Sequence, residues 1–456
     1  MKRRLTPGRV VAGLIGLGVV GVGGAWLIAV LFGGIGGDRS AKLVQPIDQK
    51  LIARGAYVAV LGDCSACHTA PGGKAYAGDL PIATPIGAVY TSNITPDEQT
   101  GIGRYSYGDF ERAVRRGLRP DGSALYPAMP FPSYARMTDA DVQALYAYFT
   151  RGVQPVAQAN RRSDIPWPLS MRWPLSYWRW LFAPTPASTS PASETTDAGA
   201  DALLARGAYL VEGPAHCGAC HTPRGLGLQE KALTAQDGAA YLSGGVVNNF
   251  VASDLRGDAV TGLGGWSEDD IVEFLRTGRN HNDAAFGGMT DVVSHSTQFM
   301  TNEDLRAIAQ FLKSLPGEQG EARFAYKPAA ATALAAGVVS TRGALDYLNS
   351  CAACHRSTGL GYAETFPALA GNPVVNDADP SSLINIVLNG GSMARTAKAP
   401  TRFTMPPFAD RLSDQEVADI VTFIRSSWGN NASAVDAAQV AKLRQALNAP
   451  PPAAER

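Results

Sequence analysis

The chain has 456 residues, enough for roughly three domains of 100 to 150 residues each. Lysine plus arginine and aspartate plus glutamate both count 40, so the net charge is zero, which argues against nucleic acid as a partner. All six cysteines fall in three short motifs, leaving none for a structural disulfide.

Residues 10–37 carry no charge and follow Lys2, Arg3, Arg4 and Arg9. Such a run exceeds the core of a signal peptide, about 7–15 residues, and reaches the roughly 20 needed to cross a bilayer. The sequence therefore predicts a membrane anchor or signal over residues 1–40. Its basic flank would stay in the cytoplasm and the rest of the chain would be exported.

The first predicted domain, residues 50–152, contains Cys64-Ser65-Ala66-Cys67-His68. The pattern C-x-x-C-H attaches a c-type haem: two thiols reach the two vinyl groups of one porphyrin, and the histidine meets the iron. A lone C-x-x-C also suits a redox dithiol or half a zinc site. Here the pattern recurs as Cys217-Gly218-Ala219-Cys220-His221 and Cys351-Ala352-Ala353-Cys354-His355, with a histidine closing each. The expected cofactors are three covalent haems, with Cys64, Cys67, Cys217, Cys220, Cys351 and Cys354 as attachment points. His68, His221 and His355 are the expected proximal ligands.

Two flanking patterns recur with the motifs. Arg54-Gly55-Ala56-Tyr57, Arg206-Gly207-Ala208-Tyr209 and Arg342-Gly343-Ala344-Leu345 precede them by ten, eleven and nine residues. Each reads as a helix delivering the chain to the haem, its glycine suited to close approach of another backbone. Thr138-Asp139-Ala140-Asp141, Thr301-Asn302-Glu303-Asp304 and Ser413-Asp414-Gln415-Glu416 read as helix starts followed by one apolar stripe. Gly152, Gly317 and Gly429 lie where those helices should stop.

Residues 153–200 hold four tryptophans among prolines, then a flexible linker. The tryptophans suit either a strap over a haem domain or a docking or membrane-interface surface. The second domain is expected over 201–317, a linker over 318–340, the third domain over 341–430 and a tail over 431–456. Domains one and two share a further block, Thr100–Tyr105 against Thr261–Trp266, and each copy precedes a short helix.

Electron-transfer haems need a sixth ligand, and methionine sulfur raises the potential. Met137 and Met300 directly precede a cap, where the third domain has Leu412, so they read as hydrophobic staples. Met129, Met289 and Met405 stand nine, twelve and eight residues before their caps and are the expected ligands, with Met393 in reserve. His216, His281 and His295 read as ordinary polar or haem-edge residues.

The stretches Gly62–Gly73, Leu125–Pro130, Trp167–Leu175, Cys217–Gly225 and Met405-Pro406 are similar to the trihaem cytochrome c subunits of membrane-bound dehydrogenases. The resemblance covers residues 50–431. It implies an all-α fold of three tandem class I cytochrome c domains, here after an N-terminal transmembrane helix. It also implies Met129, Met289 and Met405 as axial ligands. The implied function is transfer of electrons from a catalytic quinoprotein, molybdenum or flavin subunit to ubiquinone, with a further small subunit as a possible partner. The implied place is the periplasmic side of the inner membrane. No nucleotide-binding glycine motif points to substrate oxidation by this chain. The alternative, a multihaem peroxidase, would need an open haem.

Overall fold

The computed structural model describes residues 42–44, 46–186, 199–317 and 323–448, together with Gly24. Three helical units follow one another, each built on a helix before the C-x-x-C-H motif that crosses a helix near the unit's end. In unit one these are α1 (Gln49–Leu61) and, after the motif helix α2 (Cys64–His68), the closing helix. Asp48 starts α1 by accepting from the Leu51 amide. A two-stranded antiparallel ribbon follows, β1 (Pro81–Thr84) with β2 (Gly87–Tyr90). Then come α3 (Tyr107–Arg116) and α4 (Asp139–Ala147), the latter running on into a π turn to Gly152.

Between units one and two, α5 (Pro174–Phe182) carries part of the tryptophan segment. Unit two has α6 (Ala200–Glu212), the motif helix α7 (Gly218–His221) and a ribbon of β3 (Gly245–Val247) with β4 (Phe250–Ala252). It ends with α8 (Glu268–Thr277), α9 (Gly288–His295) and α10 (Asn302–Ser314). Unit three has α11 (Arg342–Ser350), the motif helix α12 (Ala352–His355) and α13 (Ser381–Asn389). These are followed by a ribbon of β5 (Gly391–Ser392) with β6 (Thr404–Met405), then α14 (Asp414–Ser426) and α15 (Ala437–Asn448).

The expected glycines sit at the three crossings. A Cβ on Gly55 would lie 1.9 Å from the Ala144 carbonyl oxygen, on Gly207 2.0 Å from that of Ala307, and on Gly343 2.1 Å from that of Asp419. Only a hydrogen fits there, so each pair of backbones touches. Thr138, Thr301 and Ser413 cap the closing helices, each accepting from the amide three residues on. Val142, Leu305 and Val417 face the core, with Met137 and Met300 buried beside the first two and Leu412 packed near the third. Burying one such side chain contributes about 1.5–3 kcal/mol.

Two features of the expected fold are corrected. The predicted anchor, residues 1–40, lies outside the described residues apart from Gly24. Among the described residues no helix is long and apolar enough to cross a membrane. Helices such as α1 and α10 have thirteen residues, about 20 Å at 1.5 Å per residue, against a hydrocarbon core of about 30 Å. Nor is the fold all-α: among the described residues 43% are helical and 8% are in strands or isolated bridges, the strands forming three ribbons.

The linker and tail readings also gain detail. α15 packs on α14 through Val440 and Leu443, so the tail is folded as far as Asn448. The tryptophan segment straps unit one, where the Arg172 Nη1 donates to the Ala124 carbonyl at 2.9 Å. It also reaches unit two, where Trp178 Nε1 donates to the Gly227 carbonyl at 2.7 Å. Its outer face presents Trp167, 79% exposed, and Trp180, 70% exposed, with Leu169 and Leu181.

Candidate haem-binding sites

Each motif folds as a single helical turn directly after the crossing helix, so the crossing fixes where the two thiols point. Cys64, Cys217 and Cys351 pack against the cores of units one, two and three. All six cysteines are unpaired thiols. Burial pushes Cys64 up to about 12, Cys67 to about 11, and Cys217 and Cys351 to about 12. Reactive dithiols are marked by depressed values, so these raised thiols do not read as a redox pair and are compatible with a thioether role. Among the described residues no group of three or more histidine, cysteine or acidic side chains could hold a metal ion.

The motif histidines share a feature that sequence reasoning missed. His68 Nδ1 donates to the Ser92 carbonyl at 2.7 Å, His221 Nδ1 to that of Ser253 at 2.7 Å, and His355 Nδ1 to that of Pro367 at 3.0 Å. A carbonyl can only accept, so the proton sits on Nδ1 and the Nε2 lone pair is left for a metal. Burial lowers the pKa of all three rings, which keeps them neutral. Ser92 and Ser253 lie just beyond β2 and β4. The ribbons thus deliver the carbonyls that orient the first two histidines.

In unit three the motif opens on a cavity of about 1170 Å³, its mouth included, lined by Cys351, Cys354, His355, Phe366, Met393 and Met405. The remaining lining is mostly apolar and includes Leu369, Val375, Leu383 and Val387. A flat apolar macrocycle held by two thiols and a neutral imidazole fits this donor set and shape. Met405 is held by the pairing of β6 with β5, opposite Gly391. The Met393 sulfur is already engaged: Arg279 Nη1 of unit two donates to it at 3.6 Å.

Met129 is partly buried at the edge of the unit-one core, in a tight turn where its carbonyl accepts from Phe131. Met289 occupies the first turn of α9 and packs with Ala285, Val293 and Ala394, the last from unit three. The remaining histidines are placed differently. His281 pairs with Asp270 at 3.1 Å, and His295 Nδ1 bonds the Asp291 carbonyl within its own helix. His216 stacks edge-on against Tyr134 of unit one, with centroids 5.4 Å apart, so it is an interface residue.

Comparison with known proteins agrees with this geometry. A family model described as Cytochrome c matches residues 52–150 and 340–428. The cytochrome c subunit of quinone alcohol dehydrogenase from Gluconacetobacter polyoxogenes is 55% identical over 401 residues, covering 87% of this chain and 85% of that one. The gluconate 2-dehydrogenase cytochrome c subunit of Pantoea cypripedii is 54% identical over 400 residues, 87% and 90% of the two chains. The corresponding alcohol dehydrogenase subunit of Gluconobacter oxydans is 50% identical over 422 residues, 92% and 87%.

The chain belongs to the family of dehydrogenase cytochrome c subunits. This cytochrome subunit is an electron carrier rather than the catalytic member of its kind, and the family binds haem c covalently. The expectation of three tandem family domains is corrected to two, since the family model leaves the middle unit unmatched. That unit departs from the others in having Met289 on a helix with no proline after it, unlike Met129-Pro130 and Met405-Pro406.

Proposed function

We propose that this subunit carries three haem c groups and passes electrons from a catalytic dehydrogenase subunit to ubiquinone. The haems would be held by Cys64, Cys67 and His68, by Cys217, Cys220 and His221, and by Cys351, Cys354 and His355. Met129, Met289 and Met405 would complete the axial pairs. When bound, haem supplies a one-electron ferric–ferrous couple. The chain's own residues hold the imidazoles neutral and aligned, the apolar walls of the unit-three cavity would exclude water, and Met129, Met289 and Met405 would each supply a sulfur ligand.

The observation that carries the reading is the threefold recurrence of a motif histidine whose Nδ1 is tied to a backbone carbonyl. Met405 is favoured over Met393 because the Met393 sulfur accepts from Arg279. The relatives are named as subunits of quinone alcohol dehydrogenase and gluconate 2-dehydrogenase, which supports a catalytic dehydrogenase partner and a quinone acceptor. We place the complex at the periplasmic face of the inner membrane. The exposed Trp167, Leu169, Trp180 and Leu181 support a surface that meets a partner or lipid headgroups.

The test is purification of the full chain from solubilised membranes of its host, with mass spectrometry of what co-purifies and a pyridine haemochrome assay. The reading expects a dehydrogenase catalytic subunit and one haem per C-x-x-C-H motif. A mature chain with fewer haems than motifs, or one that purifies with no dehydrogenase, would overturn it.

A further inference from the structure

Units one and two are clasped by a reciprocal pair of tyrosines. Tyr57 of α1 donates to Asp304 Oδ2 of α10 at 2.6 Å and accepts from the Thr301 amide at 3.1 Å. Tyr209 of α6 does the same in return, donating to Asp141 of α4 and accepting from the Thr138 amide. Each tyrosine therefore caps the closing helix of the other unit. In an ordinary capping box the acid three residues on accepts from the cap amide. Here Asp141 and Asp304 are committed elsewhere. Their other oxygens take Arg54 Nε at 3.0 Å and Arg206 Nε at 2.8 Å, from the same Arg-Gly-Ala-Tyr segments. The cap amides are left to the tyrosines.

The clasp brings the two haem motifs together. Tyr134 Oη of unit one donates to the Gly62 carbonyl at 2.8 Å, two residues before Cys64, and its ring meets His216, next to Cys217. Ser296 Oγ of unit two donates to the Val60 carbonyl at 2.7 Å. Unit three is built without this device. Leu345 stands where Tyr57 and Tyr209 stand, 38% exposed, and Ser413 with Glu416 forms an ordinary capping box.

We propose that Tyr57 and Tyr209 are positioning residues that dock units one and two as a fixed two-haem pair, setting the separation across which those haems exchange electrons. The proposal rests on the reading that both units carry haem. Its test uses the full chain, wild type against Tyr57→Phe, Tyr209→Phe and the double variant. Each variant keeps the ring and loses only the hydroxyl. Haem content, circular dichroism and the absorbance of the methionine-ligated haems are checked first. Electron redistribution between the haems is then followed after fast partial reduction.

A hydrogen bond to a charged group is worth roughly tenfold or more, so losing both shifts docking ~100-fold toward open and slows the exchange phase at least ~10-fold. The single variants fall between. Leu345→Tyr in unit three leaves the phase unchanged. A fully loaded double variant with wild-type exchange overturns the proposal, and so does equal slowing in Leu345→Tyr. If wild type lacks haem on either motif the proposal also falls, and the haem count identifies that as failure of the functional reading instead.

Discussion

Gly55→Ala isolates the crossing on which each haem motif is mounted. The new methyl would sit 1.9 Å from the Ala144 oxygen, 2.6 Å from its carbonyl carbon and 2.7 Å from Tyr148 Cβ. All three neighbours are backbone or Cβ atoms, so no flexible side chain can swing away. Reaching an ordinary contact requires α1 and α4 to part by more than about 1 Å along a seam packed at crystal-like density. Forced overpacking of this kind costs about 1–3 kcal/mol, more when backbone must move. Alanine recovers at most about 1 kcal/mol through helix propensity. The net expectation is a loss of about 1–2 kcal/mol from unit one, more where the backbone has to move, and the covalently held haem reports it because α1 runs directly into Cys64. Guanidinium unfolding followed by haem absorbance would read it, with Gly265→Ala as a control that meets nothing closer than 3.5 Å. An unchanged or raised midpoint for Gly55→Ala would refute the reasoning.

Met405→Leu should open the third haem to carbon monoxide and lower its potential while Met393→Leu does not; the reverse result would reassign the ligand. Met289→Leu should do the same in unit two, whereas Met300→Leu, a core substitution, should change stability by less than about 1.5 kcal/mol and leave the haem closed. Burial raises Glu230 from 4.5 to about 7, and its side chain is 5% exposed. Between pH 4.5 and 7 the folded chain therefore binds more protons than the unfolded one, and stability falls as pH rises through that window by up to about 3 kcal/mol. Glu230→Gln should flatten this slope in denaturation midpoints measured across the window, and an unaltered slope would count against the assignment.

The parts of the site legible in the sequence are those written in residue identity at fixed spacing. The C-x-x-C-H motifs, the crossing glycines Gly55, Gly207 and Gly343, and the threonine and serine caps are local signals, each with one physical reading. What escaped depends on partners distant in sequence. Ser92, Ser253 and Pro367 act through backbone carbonyls, so no side chain marks them. The ribbons that present the first two are only three or four residues per strand, too short for an alternating pattern to register. Tyr57 and Tyr209 were visible as a repeat, but their exchange between units requires both closing helices to be in place. The commitment of Met393 to Arg279 likewise crosses from one unit to another.

The claim that this subunit relays electrons between a dehydrogenase and quinone is tested most directly by following the haem bands in the purified complex. Substrate of the partner dehydrogenase, added without acceptor, should reduce the haems of every motif, and a ubiquinone analogue added next should reoxidise them at the rate of steady-state turnover. Quinone reduction at full rate while the haems stay oxidised would contradict the account.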